Sequence, residues 1–389
     1  MAAEPRLNVF QDAVDHLADF LGGSAMDAEQ RIVRKAIQNA YNRFTNERSW
    51  QYLYTHGRIN LVDSYSTGTM TFDLTGGAHE RLVTFSTALS TAVQSWAKFG
   101  RILLQDATSG AELVYDIDDY KTTTTVTLKE GLCPTGDVSA TEFTLYRNVY
   151  PLPADFRRLS EPVPEWQFNA WYIPPQEWMF LERHEHAEGS PMAWTIMPDP
   201  DKNGGYAIFV YPYPDENETL DFIYQRYART MKYTGYESAA RTGTITVSAS
   251  STAVTGSGTS WTSDMAGSYM RFINGTTVPD GLGGLNPFSE QRKIRSVTTT
   301  TALVLDTAVD NAYTAKAFCI SDPVDVPDPF WEPFCRCCEW QLAMTGRIKD
   351  VDAKFGYYQA ALRRAFELDA VMEIPRMFGA DGIGSTVVK

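Results

Sequence analysis

The residues best suited to chemistry in this 389-residue chain are five histidines, five cysteines and scattered carboxylates. His184 and His186 flank Glu185 in RHEHAE. On a strand, alternate side chains share a face, so two imidazoles there could meet one metal ion. No third ligand is identifiable, and the H-E-x-x-H spacing that sets two imidazoles on one helix face is absent. An exposed polar turn is the simpler reading. Cys335, Cys337 and Cys338 crowd the helix-like FCRCCEW with no histidine beside them. Thiols so close on one helix point around its axis and cannot converge tetrahedrally on zinc, so they read as buried packing. An odd cysteine count also argues against a disulfide framework. Asp116, Asp118 and Asp119 make an acidic cluster, but the glycine and distal glutamate of a calcium loop are missing. No nucleophile elbow appears, and no glycine-rich phosphate loop follows a strand. The expectation is a non-enzyme with no cofactor, no catalytic residue and no metal site.

The ends of the chain read as helix and the middle as strand. Leu7, Phe10, Val14, Leu17, Phe20 and Leu21 recur at helical spacing until Gly22-Gly23 stops the run. Asp27 with Gln30 makes a capping pair for a second helix reaching about Arg48. Its apolar stripe includes Val33, Ile37, Tyr41 and Phe44, and its other face carries Arg31, Arg34, Lys35, Arg43 and Arg48. That basic face fits either plain solvation or contact with an acidic neighbour or DNA. From about Gln51 to Ile320, alternation, threonine runs and Gly/Pro punctuation predict β structure. Helix returns with Pro329 and Pro333 in a first turn and Phe334, Cys337, Cys338 and Leu342 at helical spacing. Asp350 or Asp352 can cap a last helix carrying Phe355, Tyr358, Leu362, Ala365, Phe366 and Leu368. Ile374-Pro375 ends it, and GADGIGSTVVK reads as an extended tail.

The β region contains a duplication. IDDYKTTTTVTL, from Ile117 to Leu128, aligns without a gap to IRSVTTTTALVL, from Ile294 to Leu305. GTMTF from Gly68 matches GTITV from Gly243 at nearly the same separation, and each copy carries a Trp, a Gly and then an apolar strand in between. Ile117 with Ile294 and Leu128 with Leu305 are the expected core pairs of a small sandwich or barrel. Polar residues are not repeated at equivalent positions, which favours packing or attachment over a duplicated catalytic site. The fold class expected is α+β: one helical bundle built from both chain ends, with antiparallel β modules inserted in it. The boundaries are 1–55 and 326–373 for the bundle, 56–150 and 236–325 for the two modules, 151–235 for a central β core and 374–389 for the tail.

Composition narrows the function. The net charge of −14 argues against tight nucleic-acid binding, which needs a clustered basic surface. It suits a wall that DNA must slide past. Aromatics at 13% suit a subunit with many protein neighbours. The first residues lack a basic region followed by an apolar run, and no stretch reaches the roughly 20 apolar residues of a membrane span, so synthesis in a reducing cytoplasm is expected.

The segment around 150–231 carries a family resemblance. YPLPADFRRL, WYIPPQEWMFL, GSPMAWTI and YAIFVYPYPDENETLDFIYQRYART follow one another. A strand, a Pro-Asp turn and a second strand ending in Y-x-R-Y resemble the core of the head-to-tail connector (portal-docking adaptor) proteins of tailed phages. Tyr358, Ala361, Leu362 and Ala365 agree with that family's last helix. The resemblance implies a structural virion protein of the phage neck, synthesised in the bacterial host. It implies a homo-oligomeric, dodecameric ring between the portal protein and the tail nozzle or tube, with tail fibres as a further candidate partner. DNA would pass through the channel without sequence-specific binding, and no membrane is involved. The tail residues Arg376, Met377, Phe378, Ile383, Val387 and Val388 would dock on the portal. Two other classes compete: a tail-nozzle or tail-tube subunit, and a carbohydrate-binding fibre-type protein.

Overall fold

The computed structural model describes residues 8–21, 26–75, 80–105, 112–160, 170–184, 187–201, 204–278, 288–346 and 348–372. The protein is mixed α+β. In chain order its helices are α1 (Phe10–Phe20), α2 (Met26–Asn46), α3 (Thr91–Gln94), α4 (Pro175–His184), α5 (Ser238–Arg241), α6 (Trp331–Ala343) and α7 (Val351–Met372). The chain divides into two compact units, Tyr54–Tyr227 and Met1–Leu53 with Ala228–Lys389.

In the unit that holds the chain termini, α1, α2, α6 and α7 contribute to one buried cluster. Phe10, Val14 and Leu17 come from α1, Val33, Ile37 and Phe44 from α2, Phe334, Cys337 and Leu342 from α6, and Tyr358, Leu362 and Ala365 from α7. Each helix offers a single apolar stripe and must bury it against another. Trp50 stacks on Phe44 at 4.9 Å between ring centroids, and its Nε1 donates to the Phe44 carbonyl at 2.8 Å. Buried indole needs such a partner for its one polar atom. Asp12 reaches back to accept from the Val9 amide at 3.1 Å, holding the start of α1. One expected cap is displaced and the other is kept. Since α2 already begins at Met26, Asp27 lies inside the helix. Asp350 precedes α7 at φ 66°, and its carbonyl accepts from the Lys354 amide, while Asp352 falls in the first turn.

The Tyr54–Tyr227 unit carries strands β1 (Tyr54–Asn60), β2 (Met70–Asp73), β3 (Leu82–Phe85), β4 (Arg101–Gln105), β5 (Glu112–Thr122), β6 (Thr125–Leu128), β7 (Val138–Thr141), β8 (Thr144–Tyr146), β9 (Val149–Pro151), β10 (Phe156–Leu159), β11 (Trp171–Tyr172), β12 (Ala193–Pro198), β13 (Tyr206–Tyr211) and β14 (Thr219–Arg226). Sheets in the order β1-β14-β10 and β11-β12-β13-β9 share a core of Ile59, Leu61, Tyr150, Trp194, Ile208 and Phe222. The short α4 breaks the predicted run of strands. Pro175 occupies its first position, where a missing N–H costs nothing, and the Trp178 amide donates to the Pro174 carbonyl at 3.0 Å. Trp178 buries itself on Ala193, Ala207 and Phe209.

The remaining strands of this unit form a seven-stranded sheet ordered β7-β2-β3-β6-β5-β4-β8. The other unit holds β15 (Thr244–Val247), β16 (Ala253–Ser257), β17 (Tyr269–Phe272), β18 (Glu290–Thr299), β19 (Ala302–Leu305), β20 (Tyr313–Lys316) and β21 (Phe318–Ser321), ordered β20-β15-β16-β19-β18-β17-β21. Read strand for strand, the two orders are the same. In both, the two edge strands are neighbours in sequence; β20 and β21 are separated by Ala317 alone. Opposite edges joined by so short a link force the sheet to curl round its own core into a half-barrel. The shared motif glycines serve one purpose. Gly68 and Gly243 sit at φ 91° and 97°, where a side chain is strained.

Candidate assembly surface

His184 closes α4 instead of lying on a strand, so the alternation argument for pairing it with His186 does not apply. His186 and His79 lie outside the described residues. Among the described residues no group of three His, Cys, Asp or Glu side chains could hold a metal ion. Cys335, Cys337 and Cys338 stand outside any disulfide, buried in or beside the helical core. Burial pushes the Cys337 thiol up to about 12 and Cys338 higher than its ordinary value, because a thiolate there would lose its hydration. Asp116 pairs with Arg101 at 3.0 Å and Asp119 with Lys121 at 2.9 Å, on strands rather than in a cation loop.

The five bases expected on the second helix are divided by the fold: Arg31, Arg34, Lys35 and Arg43 lie on α2, whereas the helix ends at Asn46 and Arg48 falls just past it. Arg34 pairs with Glu237 at 3.2 Å, Arg43 with Glu47 at 2.9 Å and Arg48 with Asp369 at 3.2 Å. Arg43 also lies over the Trp340 ring at 4.7 Å. Arg34 and Arg43 tie α2 to its own chain, and Arg48 ties the segment after it to α7. Arg31 and Lys35, one turn apart, are exposed. The module pairs Ile117, Leu128, Ile294 and Leu305 are all buried, each within its own half-barrel. Arg376, Met377, Phe378, Ile383, Val387 and Val388 lie outside the described residues.

A joint that sequence reasoning missed fastens the second half-barrel to α1. The Gln11 amide donates to Ser321 Oγ at 3.0 Å, and the Phe10 amide to the Asp322 carbonyl at 2.8 Å. Arg271, 4% exposed, pairs with Asp12 at 2.9 Å and donates to Gln11 Oε1 at 3.1 Å. Beside them the Tyr236 hydroxyl donates to Asp15. Burial is the main force on the Asp15 carboxyl and raises it to about 6. The hydrogen bond from Tyr236 and the charge of Arg271 oppose that rise, while Asp12 and Asp19 add to it. Across the bundle, burial would raise Glu339 too, but the contacts with His16, Arg336 and Lys354 outweigh it and hold the carboxyl near 2. Both acids are parts of the scaffold. They sit in dense contact with their own chain.

What the surface does offer is large apolar side chains. Trp171 on β11 and Phe180 on α4 are 68% and 69% exposed, and Tyr357 on α7 is 60% exposed. Isolated apolar residues are ordinary on a surface, but rings this exposed suit contacts with other proteins. No helix among the described residues is long and apolar enough to cross a membrane. No protein-family model matches the chain, and no curated protein matches it either.

Proposed function

We propose that this chain is a structural subunit of a tailed-phage neck: a head-to-tail adaptor that forms a ring, dodecameric by resemblance, between the portal and the tail nozzle or tube. The ring forms part of the DNA ejection channel. Helices from both chain ends make a single bundle that seats the subunit, and the half-barrels brace the ring or attach further parts. The observation that carries the reading is the repeated seven-stranded half-barrel, the same in strand order and in core pairs, whose shared polar residues are structural threonines while no charged residue of 117–128 recurs in 294–305. Duplicated cores without duplicated chemistry serve packing and attachment. An acidic chain in which Arg34, Arg43 and Arg48, three of the five bases between 31 and 48, are tied internally supports a channel wall that does not hold DNA.

In this reading the tail residues Arg376, Met377, Phe378, Ile383, Val387 and Val388 dock on the portal. Ordering each residue costs about 1–2 kcal/mol of backbone entropy, so the attachment draws its strength from repetition round the ring. Deleting residues 375–389 leaves a folded subunit that no longer stays on portal-bearing heads. Normal assembly and DNA retention by the truncated protein would overturn the docking role.

A further inference from the structure

The two half-barrels differ in what covers them. In the second, the outward face of β17 and β21 is sealed by α1 through Gln11 and Asp12. The sealing helix is acidic, with Asp12, Asp15 and Asp19, and Arg271 of β17 meets it at Asp12; Lys293, paired with Asp306, and Arg295 stand exposed on the same face of β18. Opposite charge across the contact fixes which helix fits.

The first half-barrel presents the same face with the signs reversed. Leu103 pairs with Thr144 and Val114 there as Arg271 pairs with Cys319 and Gln291 in the second copy. Leu103, Val114 and Thr144 are half-exposed, whereas Arg271 and Cys319 are buried. Asp116, paired with Arg101 on β4, and the exposed Asp118 stand on β5 where β18 has Lys293 and Arg295. A covering helix for this face is therefore apolar and basic. The chain owns one: α7 buries Tyr358, Leu362 and Ala365 in the bundle and exposes Ala353, Tyr357, Ala360 and Arg364, spaced by three or four residues along one stripe.

We infer that the outward β4–β5 face of one copy receives this α7 stripe from a neighbouring copy, with Tyr357 against Leu103 and Val114 and Arg364 against Asp118. The inference deepens the ring reading by naming its subunit contact. The two patches are different surfaces, so the contact is heterologous, and repeating it either closes a ring or extends a filament.

The test uses the full chain with Cys133, the half-exposed native thiol, replaced by Ser. Leu103→Cys and Tyr357→Cys variants are oxidised separately, mixed, and as a double variant, and run on a non-reducing gel. The mixture yields a disulfide-linked dimer at least about tenfold above either variant alone, and Arg364→Glu lowers that yield until Asp118→Arg restores it. A mixture no better than its components, or a double variant that closes within one chain, overturns the inference. Rings on the portal without this cross-link would leave the adaptor reading standing and remove the contact. The cross-link without rings would do the reverse.

Discussion

Ile117 sits opposite Leu128 across the β5–β6 ladder, both buried, and 177 positions later Ile294 sits opposite Leu305 with the same register shifts on either side of the intervening pairs. Equal register in two copies means equal packing demands. Leu128→Ala and Leu305→Ala should each cost about 2–5 kcal/mol, the range for truncating a buried leucine. Because the two residues belong to different compact units, hydrogen exchange should show the first loss within 54–227 and the second outside it. A single shared pattern for both variants would contradict the division.

The motif glycines give a graded prediction. A Cβ on Gly243 would meet the Ser257 carbonyl oxygen at 2.5 Å, and backbone cannot swing aside. At Gly68 the nearest atom is the Ser86 hydroxyl at 2.7 Å, on a side chain able to turn. Both substitutions also meet positive φ, so Gly68→Ala should cost about 1–2 kcal/mol and Gly243→Ala measurably more. Urea unfolding of the two variants would check the order.

Asp15 offers a pH test. Its folded carboxyl titrates near 6, above the ordinary value of 3.8, so the folded state binds the proton more tightly than the unfolded state. Stability is therefore greatest below pH 3.8 as far as this group is concerned and falls as pH rises through 6. Asp15→Asn keeps an acceptor for Tyr236 without the buried charge. It should raise stability at pH 7 by on the order of 2 kcal/mol, with the gain vanishing near pH 4. Thermal melts at both pH values decide it. Equal melting of variant and parent at pH 7 would count against the raised carboxyl.

Sequence carried the duplication well because register is local. IDDYKTTTTVTL and IRSVTTTTALVL align without a gap, and period-two alternation fixes which side of each strand is buried. The α1–β21 joint was not legible, since Gln11 and Arg271 stand 260 residues apart and only the folded chain brings them together. The partners of the basic run are equally remote: Glu237, which pairs with Arg34, and Asp369, which pairs with Arg48, come from distant segments. The start of α4 is written in the sequence: Pro174-Pro175 falls within the stretch whose Gly/Pro punctuation predicts strand, although proline at a first helical position is a start signal.

The central claim is a ring seated on a portal. Negative-stain microscopy of the purified protein mixed with its portal tests it most directly. The account predicts a second ring coaxial with the portal, present only when this chain is added. A trimer, or monomers that leave the portal bare, would contradict it.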